Sequence, residues 1–265
     1  FIQSKVNIGY GMGHNTIVDS CRLQQKDYYM PLNPDVVLEP SYISNLVFEL
    51  ANNKADWGAG KLYCMDSYHH KKKVIYSTGH ALFSNGYAIN IGNGMPDDEK
   101  RFSSKEVFGA PGAAPLYSGK LIRSIAYTEG LFDKQMFMYY EDVDVDWRAR
   151  LNRFQCWYAS TATGYHLGST AQGRIHTQAL ANRYLSVIKN AFIYDVLTHN
   201  AIIILCHCMF ILCTEPAEGV WLMQRLAKTI PYAIKRRTVS KVTRKYMRNW
   251  FLLNKQQPTT QPKTL

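Results

Sequence analysis

The chain of 265 residues is 46% hydrophobic and 13% aromatic, which suits a full buried core and excludes an intrinsically disordered chain. Its formal net charge of +11 comes from 31 Lys and Arg against 20 Asp and Glu. Eleven of the basic residues lie from Val220 onward, where no acid occurs; taking them from 31 leaves 20 basic against 20 acidic residues, so the body is neutral and nucleic acid is not expected as a partner.

The chain starts at Phe1 and runs directly into FIQSKVNIGYG, with no charged leader or cleavage-like stretch, and is read as a fragment whose true beginning is missing. Asn7 and the glycines Gly9, Gly11 and Gly13 form a Gly-rich turn whose spacing does not match the dinucleotide-binding fingerprint. From there to about Leu167, short apolar runs (DYYMPL, DWGAGKLY, VIYSTGHALF, CWYAS) alternate with helix-like stretches. One of these is Ser41 to Asn52, where Ile43, Leu46, Val47 and Leu50 share a face. The alternation is that of an α/β domain.

The first apolar run leads into Asn33-Pro34-Asp35, which puts the Asp35 carboxylate at the carboxyl end of a strand, the edge where open α/β sheets bind ligands. Pro and Asp are equally ordinary turn formers. NGYAINIGNGMPDD (Asn85 to Asp98) and GAPGAAP (Gly109 to Pro115) read as two loops flanking short strands, of the kind that carries binding groups.

Glu141, Asp142, Asp144 and Asp146 fall within six positions behind the aromatic residues Phe137, Tyr139 and Tyr140. Carboxylates so close repel one another and need compensation. An acidic helix N-terminus with Arg148 and Arg150 as ion-pair partners would supply it. The aromatic run, however, buries one end of the acidic stretch, and a half-buried carboxylate is the kind whose basicity rises enough to abstract a proton. His166 follows Asp142 by 24 residues, behind CWYASTAT. By itself a lone histidine is an ordinary core or surface residue.

Beyond His166 the pattern turns to long helices. Ala201 to Cys213 is apolar except for His207, but thirteen residues fall short of the roughly 20 that a spanning helix needs. Asn200, His199 and Asp195 block its extension, so an interfacial, re-entrant or buried helix is expected. Val239, Val242, Tyr246 and Trp250 then recur at helical spacing, with Arg236, Arg237, Lys241, Arg244, Lys245 and Arg248 on the other faces; this reads as a basic amphipathic helix for an anionic membrane surface. QQPTTQPKTL reads as a disordered tail. The six cysteines, three within the apolar run, read as buried thiols rather than a disulfide framework, implying a reducing compartment. Cys206, His207, Cys208 and Cys213 lack the paired spacing of a zinc site. No internal repeat is visible.

Five segments in order resemble family-two inverting glycosyltransferases, especially the rhamnosyltransferase- and galactofuranosyltransferase-like branch. They are VNIGYGMGHN (Val6 to Asn15), LNPDVVLEP (Leu32 to Pro40), GAPGAA (Gly109 to Ala114), EGLFDKQMFMYYEDVDVDWRARL (Glu129 to Leu151) and YHLGST (Tyr165 to Thr170). The resemblance implies a GT-A fold: an α/β, Rossmann-like nucleotide-diphospho-sugar transferase with a mixed sheet, here without its first strands and followed by C-terminal helices. It divides the chain into a catalytic domain (1–175), a helical, basic amphipathic, membrane-proximal region (176–253) and the tail (254–265).

In that resemblance Asp35 stands in the family's Asp-X-Asp metal motif, with Asn33 at its first position, and His166 is a further ligand for Mg²⁺ or Mn²⁺. Asp142 stands where the family keeps its catalytic base. Asn7 and Gly9 are implied to lie near the nucleotide, and Asn33, Gly112, Ala113, Glu141 and Arg148 to contact substrate. Phe154 departs from the family, which usually has a turn glycine there.

The implied reaction moves a rhamnose- or hexose-like sugar from a UDP- or dTDP-linked donor to a hydroxyl of a cell-surface glycan or lipid-linked acceptor. The implied location is cytoplasmic, peripheral on the inner face of the plasma membrane. Two readings compete: a non-catalytic, membrane-associated scaffold that keeps the GT-A shell, and nucleotidyl transfer on a similar fold.

Overall fold

The computed structural model describes residues 2–66, 71–167 and 174–252. The last three residues of the YHLGST motif and the expected tail lie outside them. Helix α1 (Tyr10–Cys21) precedes two short strands, β1 (Tyr28–Tyr29) and β2 (Val36–Leu38), and helix α2 (Tyr42–Asn52). Strands β3 (Trp57–Met65), β4 (Lys71–Ser77), β5 (His80–Phe83), β6 (Ala88–Asn90), β7 (Lys105–Glu106) and β8 (Leu116–Ser118) follow. Next come α3 (Gly119–Ile125), α4 (Glu141–Leu151) and β9 (Cys156–His166).

The main sheet is mixed, in the order β1-β8-β3-β9-β2, with β4 added on β3 and β7 on β9. Its axis is the parallel pair β3 and β9, both covered by helices and therefore rich in buried residues without strict alternation. The ladder slips between the Gly60–Ala159 and Lys61–Thr163 pairs. Glycine is needed at this bulge because a Cβ on residue 60 would sit 2.1 Å from the Ala162 carbonyl oxygen. Helix α2 covers this region with Tyr42, Leu46 and Leu50, all fully buried, whereas Ile43, expected on that face, is 49% exposed. The Tyr42 hydroxyl donates to Ala114 O and accepts from Gly60 N, tying the helix to both sheet and loop.

The run VIYSTGHALF breaks at Gly79, whose φ of +117° is open to glycine, into β4 of the main sheet and β5 of a small second sheet ordered β10-β5-β6. Strand β10 (Phe251–Leu252) comes from the far end of the chain. The YYMPL run pairs only at Tyr28 and Tyr29, so Asp35 does not end a strand as expected. It precedes β2, and the antiparallel pairing of Val36 with His166 sets it at the carboxyl end of β9 instead.

Helix α4 is buried at ten of its eleven residues, acids included. Asp144, fully buried, accepts from Arg148 Nε at 2.9 Å, lies 2.9 Å from Lys189 Nζ and accepts from Asn190 Nδ2 at 2.8 Å. Lys189 also reaches Asp133 at 2.5 Å. Both Lys189 and Asn190 come from α5 (Arg174–Asn190), so the ion cluster fastens the first C-terminal helix to the α/β body.

Helix α6 (Ile193–Asp195), a π-helical turn (Val196–Asn200) and α7 (Ala201–Thr214) run on from one another, making one 22-residue helical stretch long and apolar enough to cross a membrane by length and composition. The polar residues thought to stop it are accommodated: Asn200 donates to Asp195 O, and Asp195 pairs with Arg244. α8 (Pro216–Lys235) folds back along α7 and packs on α5 through a cluster containing Ala181, Tyr184, Cys208, Leu222 and Leu226. The opposite face of α7, with Ile202, Leu205, Met209 and Phe210, is exposed.

The single basic helix expected over 236–250 does not form; only α9 (Arg244–Arg248) is helical. Thr238 N donates to Lys189 O and Lys241 N to Leu151 O, which lays the segment extended across the ends of α5 and α4. Val242, Met247, Tyr246 and Trp250 then pack with Trp147 and Val187. All six cysteines are free thiols, but Cys21, Cys206 and Cys213 are exposed rather than buried.

Replacing Lys189 by Met strands two buried carboxylates, Asp133 and Asp144, and is expected to lower unfolding free energy by about 3–5 kcal/mol. Urea denaturation compared with the parent chain measures this; an unchanged midpoint removes the ion cluster as the fastening of α5.

Candidate active site

A cleft of about 290 Å³ gathers the carboxyl end of β9, the Asn33-Pro34-Asp35 turn, the 109–115 loop and the start of α4. Of the residues expected from sequence, Asn33, Asp35, Gly112, Ala113, Glu141, Asp142 and His166 line it. Asn7 and Gly9 do not. Asn7 Oδ1 accepts from Gly9 N, and Gly9 adopts φ +79° with no room for a side chain against Phe137 O, which lets Tyr10 enter the cleft in their place.

Arg148 is likewise displaced from its expected role. Its guanidinium is buried, bound to Asp144 and to the carbonyls of Ile125 and Leu131, and cannot reach substrate from there. Arg150 pairs with Glu106 rather than with an acid of its own helix.

The two loops are stitched by backbone bonds. Asn33 N donates to Ala113 O, and the Gly112 peptide is held at both ends, its N–H donating to Asp142 Oδ2 at 2.7 Å and its carbonyl accepting from Tyr10 Oη at 2.7 Å. Asp142 is thus aimed by the GAPGAA loop, with 18% of its side chain still exposed.

Tyr139 and Tyr140, just before it, both have φ of +69°, a strained conformation outside glycine. Asn182 of α5 holds them there by donating to the carbonyls of Met138 and Tyr139. Nothing in the sequence spacing marks Asn182.

Asp35 and His166 face one another, Oδ1 to Nε2, at 3.6 Å. His166 stacks on Tyr76 with ring centroids 4.1 Å apart, and burial lowers its pKa against the opposing pull of Asp35, favouring the neutral, ligating imidazole. Among the described residues no three His, Cys, Asp or Glu side chains converge as a complete cage. A carboxylate and an imidazole fit a divalent cation that takes its other ligands from a bound diphosphate and water.

Deeper in the wall, Asp146 is fully buried and accepts from Trp57 Nε1, from Ala110 N and, at 2.8 Å, from His80 Nδ1. His80 lines the cleft, and its other ring nitrogen lies 3.8 Å from Asp142 Oδ2. Sequence reasoning missed His80. The available signal was the i, i+4 spacing of Asp142 and Asp146, which puts both on one helix face and calls for a shared cation.

No protein-family model and no curated protein matches the chain in sequence. Among solved structures it is similar to GalNAc-T7, crystallised with UDP, GalNAc and Mn²⁺, with a TM-score of 0.52 and 10% sequence identity. The match covers 71% of this chain and 36% of that one, so the chain spans about a third of the length of the structure it matches. The fold is therefore the α/β, GT-A-like arrangement of mixed sheet and C-terminal helices.

Glu141 is the one acid in the wall whose Oε2 is buried without a hydrogen-bond partner among the described residues. Burial, and then the charge of Asp142, push its carboxyl well above the usual range. The folded state consequently binds a proton that the unfolded chain releases, so stability declines as pH rises past the unfolded-state value. Glu141→Gln should remove that decline: urea midpoints at pH 5 and pH 8 should differ less than in the parent, and the variant should be the more stable of the two at pH 8. An unaltered difference between the two pH values would show that Glu141 is ionised in the folded protein.

Proposed function

We propose that the chain is an inverting glycosyltransferase that moves a rhamnose- or hexose-like sugar from a UDP- or dTDP-linked donor to a hydroxyl of a cell-surface glycan or lipid-linked acceptor. The observation that carries this is the meeting of Asp142, Asp35 and His166, from three separate segments, in one cleft of a GT-A-like fold. Residues 1–175 form the catalytic unit in this reading and 176–253 the membrane-proximal one.

Asp142 is the base. An acceptor hydroxyl is a poor nucleophile at neutral pH, so the carboxylate takes its proton as the oxygen attacks the anomeric carbon opposite the diphosphate. The anomeric carbon–oxygen bond breaks with its electron pair leaving on the nucleoside diphosphate, and the single displacement inverts configuration. Asp35 and His166 would hold Mg²⁺ or Mn²⁺, whose chemistry there is to offset charge on the departing diphosphate. Asn33, Gly112 and Ala113 frame the donor, and Tyr10 fixes the Gly112 peptide that aims the base. A scaffold without activity would not need all three functional residues kept in one cleft, and nucleotidyl transfer would not need a base facing the sugar.

With a panel of UDP- and dTDP-sugars and Mn²⁺, the wild type should turn over one donor, and Asp142→Asn and Asp35→Ala should each lose at least about a hundredfold. Variants equal to wild type would move the reading to a scaffold.

The same reading makes the protein peripheral on the cytoplasmic face of the plasma membrane. The support is the exposed apolar face of α7, because its other face is committed to α8 and α8 to α5. Such a helix lies in the plane of the interface with its apolar side in the acyl boundary. Flotation with vesicles containing anionic lipid should carry the wild type, and Leu205→Gln with Phe210→Gln should abolish binding while leaving donor turnover in detergent intact. Retained flotation would eliminate α7 as the contact.

A further inference from the structure

Glu141 and Asp142 line the cleft at the start of α4, with Asp146 fully buried one turn behind them, and no Lys or Arg lines the cleft among the described residues. Asp142 and Asp146 share one basic neighbour, His80, and no other described basic side chain lies within 4.0 Å of either. Its placement is built. The break at Gly79 turns β5 away from β4, the His80 backbone N–H donates to Gly109 O at 2.7 Å, and Asp146 fixes Nδ1. A carboxylate on Nδ1 leaves Nε2 pointed at the cleft.

The geometry points to His80 as the positioning residue of the base: clamped by Asp146, it presents a positive charge to Asp142 Oδ2 and keeps that carboxylate aimed at the acceptor hydroxyl. The inference rests on the glycosyl-transfer reading for its catalytic meaning, but the charge coupling can be read without turnover.

The titratable groups around this pair are Glu141 on α4 and Tyr140 just before it, Tyr10 on α1, Tyr76 on β4, Tyr117 on β8 and Cys156 on β9. Burial raises the pKa of each, most strongly for Tyr10, Tyr117, Glu141 and Cys156, and none of these groups can carry a positive charge, so none competes with His80 as the counter-charge. Burial alone would lower the His80 pKa. The hydrogen bond that His80 donates to Asp146 and the charges of Asp146 and Asp142 reverse that and raise it, so the cation persists to higher pH than in a free imidazole and is lost as pH rises through the elevated value.

The test begins with an NMR titration of the histidine side chains in the full chain, His80 being assigned by its disappearance in His80→Gln. The His80 midpoint should lie above the ordinary 6.5 or so and fall by about one pH unit or more in Asp142→Asn, the size expected for removing an opposite charge at this range. A midpoint unmoved by Asp142→Asn overturns the proposal.

In turnover, His80→Gln should reduce kcat about tenfold, leave KM for donor and acceptor unchanged, and shift the acidic limb of kcat/KM upward by about one unit. A loss confined to KM, or an acidic limb that stays in place, also overturns it. Asp146→Asn, which keeps acceptors for Trp57 and Ala110, should shift the limb in the same direction if His80→Gln does not fold. A wild type inert toward every donor would instead remove the glycosyl-transfer reading, with the titration still deciding whether His80 and Asp142 are coupled.

Discussion

The constraint on which the structure turns is the burial of an acidic helix. Transfer of a carboxylate from water is costly unless a counter-charge or several donors meet it, and α4 takes four acids into or beside the core within two turns. Three of the four are met by partners, most of them drawn from elsewhere in the chain. Asp144 is met by Arg148 from its own helix and Lys189 from α5, Asp146 by Trp57, Ala110 and His80, and Asp142 by the Gly112 peptide. Glu141 alone keeps an oxygen without a described partner, and it does so at the cleft.

That sequence of compensations explains why the site and the scaffold are one construction. The inward acid, Asp144, recruits α5, and α5 in turn supplies Asn182 to hold the left-handed Tyr139 and Tyr140 that set the angle at which α4 begins. The outward acids face the loops, so the helix that fastens the C-terminal layer also delivers the candidate base. On the opposite wall the β2–β9 pairing does the corresponding work, since one register places Asp35 beside His166. Slipping the edge strand β2 by one residue along β9 would turn its side chains to the other face and carry Asp35 away from His166.

Much of this was legible because some signals are local. The α/β alternation, α2, the β3 and β9 runs and the crowding of acids behind aromatic residues all depend on neighbours within a few positions, and the resemblance carried Asp35, Asp142 and His166 together. What was not legible depends on distant pairing. His80 acquires its meaning from Asp146, 66 positions away, and Arg148 looked available to substrate only while its carbonyl partners at Ile125 and Leu131 were unknown. The length of the apolar helix was misjudged because Asp195 and Asn200 were counted as breaks. In the fold Arg244 neutralises the one and the π-turn absorbs the other.

The single basic helix read from the tail does not form, because four of its arginines are drawn to partners in the body. Arg237 caps the carbonyls of Ile188 and Ala191 at the end of α5, Arg225 the carbonyl of Gln135, while Arg236 and Arg244 pair with Glu129 and Asp195. Cations at helix carboxyl ends answer the dipole and the unpaired carbonyls there, so these four arginines are engaged within the protein, while Lys228, Lys235, Lys241, Lys245 and Arg248 stay exposed. A net charge of +11 is thus a poor guide to a membrane partner, and the argument for one passes to α7, whose outer face is apolar and uncovered among the described residues. Since α7 rests on α8 and α8 on the ion-fastened α5, an interface that takes up α7 would hold the α4 cleft at a fixed height above it.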